Sequence, residues 1–274
     1  MQLNRLDRLS ALLEGLAPRV EVNLPPAGIA RLDFAAEPSP FLHIHLLAEG
    51  EIRLQLWSSA SIALQAPCIV ICRSDIAHAL ETPAAENFQR LMCARAWLDG
   101  PVAPLLLNEF STPQVVSIDG AESSLRHVID LISSELEAPR CGQPALLDRA
   151  GDILFIGLLR HLIAHPKTSG GLLSGLADPR IARALVAIHA QPQFKWTLES
   201  LAEEAGMSRT AFANTFREVM LATPGKYLSA IRLAIAQRAV QSGKGLKAAA
   251  RDAGYTSPSA LSRALSQASA MASH

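Results

Sequence analysis

The stretch from Trp196 to Arg217 constrains this chain more than any other, because its residue order dictates two short helices meeting at a tight turn. Leu198, Leu201, Ala202 and Ala205 recur at helical spacing on one face. Gly206 supplies the left-handed residue that ends a helix, and Ser208 is a good cap for the next. Phe212 and Phe216 then set two large apolar anchors one turn apart, which leaves Arg209, Thr210, Asn214 and Arg217 facing outward. Short polar and basic side chains at the exposed start of such a helix are what reading the DNA major groove requires. Double-stranded DNA is therefore the first partner to expect.

The pattern occurs twice. Leu246–Tyr255 echoes Leu198–Met207, and Thr256–Leu265 echoes the second helix with one extra residue in the turn. Between them Pro224–Gln241 reads as one helix, spanning about 25 Å at 1.5 Å per residue. Such a spacer suits two reading helices in successive major grooves, about 34 Å apart. Asp178-Pro179 opens a further helix, with proline at its first position and Ile181, Leu185 and Ile188 on one face.

The chain has 274 residues and a formal net charge of +0, but the charge is unevenly spread. From Asp178 onward there are 12 Lys+Arg against 6 Asp+Glu, and before it 13 against 19. A basic half carrying the helix-turn-helix pattern is the electrostatic footprint of phosphate contact. The acidic half is expected to do something else.

That half reads as β-rich between residues 20 and about 100. Short apolar runs are separated by turn chemistry at Asn23–Pro26, Ala48–Glu51, Ser58–Ser61 and Thr82-Pro83, the pattern of a sandwich or small barrel. Two helical segments follow, Ala121–Glu137 and Pro144–Ala164. The second is apolar on more than one face, as expected of a helix that also packs on a second copy of the chain. His165–Gly171 is a breaker-rich linker. The expected organisation is a sensing and dimerisation domain over 1–165, a linker over 166–177 and a DNA-binding domain over 178–274. The fold class is α+β: a β-barrel with flanking helices, then an all-α domain.

No apolar run reaches membrane-spanning length, since Arg160 and His161 break Ile153–Ala164. Arg5, Asp7 and Arg8 interrupt the N-terminus, and Leu3, Leu6, Leu9, Leu13 and Leu16 follow an amphipathic helical spacing rather than that of a signal peptide. A cytoplasmic location with no membrane partner is expected, and Cys68, Cys72, Cys93 and Cys141 should remain thiols there.

The chain resembles the AraC/XylS family of bacterial transcription regulators. The resemblance is carried by Trp196-Thr197-Leu198, Ala205–Ser208, Phe212, Phe216-Arg217, Thr223-Pro224, Tyr227-Leu228, Arg232 and Ala253-Gly254-Tyr255. The first half is similar to the cupin-type sensor domain of one branch of that family, through Leu6–Leu9, Phe41–Glu51, Ile69–His78, Cys93 and Leu158-Leu159-Arg160. The resemblance implies a homodimeric activator that binds promoter DNA, answers a small-molecule or stress signal and meets RNA polymerase. Ser208, Arg209, Thr210 and Asn214 would face base edges, with Arg217 and Lys226 nearer phosphate. In the second unit Ser257, Ser259, Ser262 and Arg263 hold the matching positions. Leu261 and Leu265 stand where members usually carry Phe, and Ala249 where they carry a larger aliphatic. The second unit is therefore expected to be shortened and loosely packed.

An effector pocket is expected from Phe41, His43, His45, Trp57, His78 and Cys93. His43, His45, Glu49 and His78 also raise a metal-dependent cupin enzyme as an alternative. In metal-binding cupins, however, the histidine pair precedes a glutamate well before the turn glycine. Measured back from Gly50, His43 takes that glutamate's place, so no metal and no cofactor are expected. Cys68 and Cys72 read as buried thiols, and Cys93 stands where some relatives carry a redox-responsive cysteine. No complete acid-base or nucleophile constellation is legible, so no enzyme is expected.

Overall fold

The computed structural model describes residues 7–25, 30–57, 61–82, 91–118, 123–166 and 170–272. Several sequence expectations lie outside the described residues: Leu3 and Leu6 of the first amphipathic segment, the turn residues Pro26, Ser58–Ala60 and Pro83, Ala121, and Lys167–Ser169 of the linker.

Helix α1 (Arg8–Leu16) is followed by eight strands: β1 (Pro18–Asn23), β2 (Arg31–Phe34), β3 (Phe41–Leu47), β4 (Glu51–Leu56), β5 (Ile62–Gln65), β6 (Cys68–Arg73), β7 (His78–Glu81) and β8 (Leu91–Leu98). Next come α2 (Ala103–Glu109), β9 (Gln114–Ser117), α3 (Ser123–Glu137) and α4 (Gln143–Ala164). The rest is helical: α5 (Leu172–Ala177), α6 (Pro179–Ala190), α7 (Leu198–Ala205), α8 (Arg209–Met220), α9 (Pro224–Gln241), α10 (Leu246–Asp252) and α11 (Pro258–Ala272). Contacts gather these into two units, Pro18–Asp99 with Leu106–Leu162, and the segments up to Ala17, Gly100–Leu105 and from Ile163 onward.

The first unit is a cupin-like double sheet, antiparallel throughout, with strand orders β1-β8-β3-β6-β9 and β2-β7-β4-β5. The inner faces close on one core of Leu47, Ile52, Leu54, Leu64, Cys68, Val70, Cys72, Leu80, Leu91 and Cys93. All seven residues of β3 are buried. His43 and His45 are buried along with its apolar residues. Gly50, at a positive φ of 89°, makes the β3–β4 turn.

Strand β1 lies at the edge of its sheet, and an open edge is a template for unwanted pairing. Here α4 covers it. Asp148 Oδ1 accepts from the Val22 amide at 3.2 Å, and Asp152 Oδ1 accepts from the Val20 amide at 3.3 Å. Carboxylates one helical turn apart thus match amides two residues apart on the strand. Gly151 between them permits the approach, since a Cβ there would meet Val22 Cγ2 at 2.9 Å. Ile153 of the same helix is 51% exposed and Leu131 of α3 is 41% exposed.

The helical unit departs from the linear division expected from sequence in two places. Helix α1, capped by Asp7, belongs to it: Arg8 Nη1 donates to the Leu176 carbonyl at 2.8 Å. Residues 100–102 follow α1 there, with Gly100 N donating to Leu16 O at 2.7 Å and Val102 N to Gly15 O at 2.9 Å. Leu172–Ala177, inside the segment read as linker, forms α5 with Leu172, Leu173 and Leu176 buried. Six residues are too few for a helical period to stand out beside the Gly170-Gly171 breakers. Asp178 caps α6 by accepting from the Arg180 and Ile181 amides, with Pro179 in the first turn.

Candidate nucleic-acid interface and effector site

The first helix-turn-helix is assembled by local chemistry. Thr197 and Ser200 form a reciprocal capping box at the start of α7. Gly206, left-handed at φ 66°, ends it. From α6, Arg183 donates to the Glu204 and Ala205 carbonyls, which puts a cation on the negative end of α7. Ser208 then caps α8 by accepting from the Ala211 amide at 3.3 Å.

The apolar side of α8 is fully used. Phe212 and Phe216 are buried with ring centroids 5.4 Å apart, and Phe216 stands 5.9 Å from Tyr227 of α9. Tyr227 is in turn 2.6 Å, oxygen to nitrogen, from His189 Nε2 of α6. Burial holds the His189 imidazole down to about 4, so it is neutral. Anchored this way, α8 leaves Ser208, Arg209, Thr210, Asn214 and Arg217 exposed, and Lys226 is exposed at the start of α9. Arg209 Nη1 pairs with Glu199 Oε1 of α7 at 2.8 Å, both side chains well exposed. The sequence reading missed Glu199 as a partner. Its signal was a first-turn acid on one helix and a first-turn base on the next.

The second unit repeats the plan. Ser257 caps α11 by accepting from the Ala260 amide at 3.1 Å, and Ser259, Ser262 and Arg263 are exposed. Loose packing was expected from the small anchors, but Ala249, Ala250, Ala253 and Leu261 are buried against Ala236 and Ala239 of α9. Small residues meet small residues, so the lost volume is matched on the facing helix. Arg232 of α9 ties down the segment before α7, donating to Pro192 O at 2.8 Å and Phe194 O at 2.7 Å. Gly254 is required beside it, with φ 77° and Gln193 Cα only 2.7 Å from where a Cβ would sit. A groove of about 990 Å³ in this unit is lined by Lys195, Lys247 and Arg251, cations not singled out from sequence.

In the sheet unit, Phe41, His43, His45, His78 and Cys93 do come together. His45 Nε2 is 2.9 Å from His78 Nε2, and His45 Nδ1 is 3.1 Å from Cys93 Sγ. His78 Nδ1 is 2.8 Å from the Ile76 carbonyl oxygen. A carbonyl only accepts, so His78 donates from Nδ1 and its Nε2 must accept. His45 therefore donates from Nε2, and its Nδ1 accepts from the Cys93 thiol. Burial pushes the Cys93 thiol up to about 12 and holds His45 and His78 below the usual histidine range. The chain of neutral donors is self-consistent. Phe34, not singled out from sequence, stacks on His78 at 4.8 Å and meets His43 edge-on at 5.0 Å.

Two residues fall elsewhere. Trp57 is 67% exposed just past β4. Ile52 and Leu54 point inward, so the strand alternation sends position 57 outward, and Trp57 does not line the interior. Glu49 lies beyond β3, in a groove with Arg126, Asp130 and Glu137. Cys93 and His78 lie against opposite nitrogens of the His45 imidazole, so the three do not converge on one point. Among the described residues no group of three or more His, Cys, Asp or Glu is placed to hold a metal. No described helix is long and apolar enough to cross a membrane.

Comparison with known proteins matches residues 7–164 to a family described as "Cupin" and residues 201–272 to one described as "Helix-turn-helix domain". The HTH-type transcriptional regulator AlkR of Acinetobacter baylyi is 32% identical over 180 residues, 64% of this chain and 58% of that protein. An uncharacterized HTH-type transcriptional regulator of Haemophilus influenzae is 33% identical over 148 residues, 54% of this chain and 50% of that one. The RCS-specific HTH-type transcriptional activator RclR of Escherichia coli is 27% identical over 267 residues, 94% of this chain and 93% of that protein. The chain thus spans about half the length of the first two.

Proposed function

The chain belongs to the AraC-type helix-turn-helix regulators that carry an N-terminal cupin domain, and we propose from this premise that it binds promoter DNA sequence-specifically and activates transcription in response to a small-molecule or stress signal. One observation carries the DNA reading. Helix α8 is pinned by Phe212 and Phe216 while Arg209, Thr210, Asn214 and Arg217 stay open to solvent at its capped start. In this reading Ser208, Arg209, Thr210 and Asn214 meet base edges, and Arg217 and Lys226 meet phosphate. Ser257, Ser259, Ser262 and Arg263 serve the second unit in the same way. Similarity along nearly the whole length of RclR, a transcriptional activator, supports activation.

The sheet unit is the sensor in this reading, with the cluster around Phe41, His43, His45, His78 and Cys93 as the effector site. The exposed apolar residues Leu131 and Ile153 support a homodimer formed through α3 and α4. The whole acts in the cytoplasm without catalysing a reaction, and RNA polymerase is the partner through which activation is delivered.

Mapping of bound DNA across the genome gives the operator, and anisotropy of a labelled fragment then gives its affinity for the full chain. The slope of log affinity against log salt is expected at roughly −4 or steeper, because phosphate neutralisation releases counterions. A flat response, or equal affinity for operator and scrambled sequence, overturns the reading.

A further inference from the structure

At one end of the double sheet, next to the histidine cluster, two nitrogens are buried without a hydrogen-bond partner: His43 Nε2 and Trp97 Nε1. The indole nitrogen can only donate. Buried polar groups are normally satisfied, so a pair of orphans on neighbouring strands points to something that completes them. The strand register places them together. Phe41 of β3 pairs with Trp97 of β8, and His43 pairs with Arg95. Both rings touch Phe41, His43 at 4.9 Å and Trp97 at 4.5 Å between centroids.

Arg95 stands over the same spot. Its guanidinium lies 5.5 Å from the Phe41 ring. Its ion pair with Glu37 is loose, at 3.6 Å, with side chains 41% and 37% exposed. This pair is partly open to solvent, while His43 Nε2 and the indole nitrogen are buried. Burial and the adjacent Arg95 charge hold the His43 imidazole down to about 3, so it offers a neutral ring. The walls are aromatic: Phe34, Phe41 and Trp97.

A guanidinium facing solvent over unpartnered nitrogens, walled by aromatic rings, has the chemistry of a carboxylate receptor. We propose that the effector is a small carboxylate with an apolar body, its carboxylate held by Arg95 in exchange for Glu37 and its acceptor atoms completing Trp97 Nε1 and His43. The inference rests on the sheet unit being the sensor and names the ligand class of that site. It brings in Glu37, and with it Arg95 and Trp97, which neither motif nor resemblance singled out.

Titration calorimetry of the full chain tests it, with phenylacetate and octanoate as probes and phenylacetamide and octanamide as neutral counterparts. At least one acid is expected to bind saturably, with its amide at least tenfold weaker. Arg95→Gln is expected to remove the preference for acid over amide, and Trp97→Phe, which keeps the packing on Phe41, to weaken the acid at least fivefold. Circular dichroism checks that each variant is folded. Equal binding of acid and amide, or no acid binding up to millimolar concentration by the folded wild type, overturns the proposal. Operator binding by the same preparations is the control: if it persists while acids fail, the ligand class is wrong and the regulator reading stands.

Discussion

Glu199 of α7 holds Arg209 of α8 in an exposed ion pair at 2.8 Å, so the arginine proposed to meet base edges is occupied by a carboxylate from its own motif. Exposed pairs of this kind contribute about 0–1 kcal/mol. DNA can therefore break it at small cost, but the carboxylate stays close to the phosphates. Glu199→Gln is expected to tighten operator binding by roughly two- to tenfold at low salt, and Arg209→Ala to weaken it by about 1–3 kcal/mol. Anisotropy titrations of the two variants decide; unchanged affinity in both would remove Arg209 from the interface.

Because the second unit packs small residues against small residues, its reading helix should be as well supported as the first. Arg263→Ala is accordingly expected to weaken operator binding by about 1–3 kcal/mol, comparable to Arg209→Ala. A loss confined to Arg209→Ala would mean that the first motif reads the site alone.

Phe216 is buried between Phe212 and Tyr227. Phe216→Ala is expected to cost about 3–5 kcal/mol of stability, against about 1 kcal/mol for Ser208→Ala, which loses a cap. Denaturant unfolding, followed by Trp196 fluorescence in a background carrying Trp57→Phe and Trp97→Phe, reports on this unit.

The histidines make stability depend on pH. His43 is held down to about 3 and His189 to about 4, both chiefly by burial, from an ordinary value of 6.5. Between these values the unfolded chain binds more protons than the folded one. Stability therefore rises with pH through this window, is complete above about 6.5 and is lost as pH falls toward 3–4. The slope is at most about 1.4 kcal/mol per pH unit for each histidine. Denaturation midpoints at pH 7, 6 and 5 should fall in that order, and His43→Leu should flatten the dependence.

The donor chain at Cys93 predicts a tautomer. Nitrogen chemical shifts should show His45 protonated at Nε2 and His78 at Nδ1. Cys93→Ser keeps a donor for His45 Nδ1, whereas Cys93→Ala orphans it at a cost of about 1–3 kcal/mol. Equal stability of the two variants would dissolve the assignment.

Both helix-turn-helix units were legible because their determinants are local. Thr197, Gly206 and Ser208 act on backbone groups within three residues, and Phe212 and Phe216 follow the helical period. His45, His78 and Cys93 were grouped from the sequence, but the direction of their hydrogen bonds was not legible, since it depends on the Ile76 carbonyl. Trp57 was misplaced although the β4 alternation carried the answer. Arg95 and Trp97 went unnoticed because their value lies in a cross-strand register that no spacing along the chain reveals. Helix α1 was assigned to the sensor domain through the Leu6–Leu9 resemblance and its place before the strands, whereas its contacts run to Gly100 and Val102 and to Leu176, 168 residues from Arg8.

That placement of α1 bears on how the protein can be dissected. A fragment beginning at Asp178 would discard α1 and α5 together, stripping α6 of the N-terminal neighbours it packs against. The excised reading module would present a raw apolar flank, whereas a shorter protein that retained residues 7–17 by grafting would keep it covered. The compact helical unit is thus discontinuous along the gene.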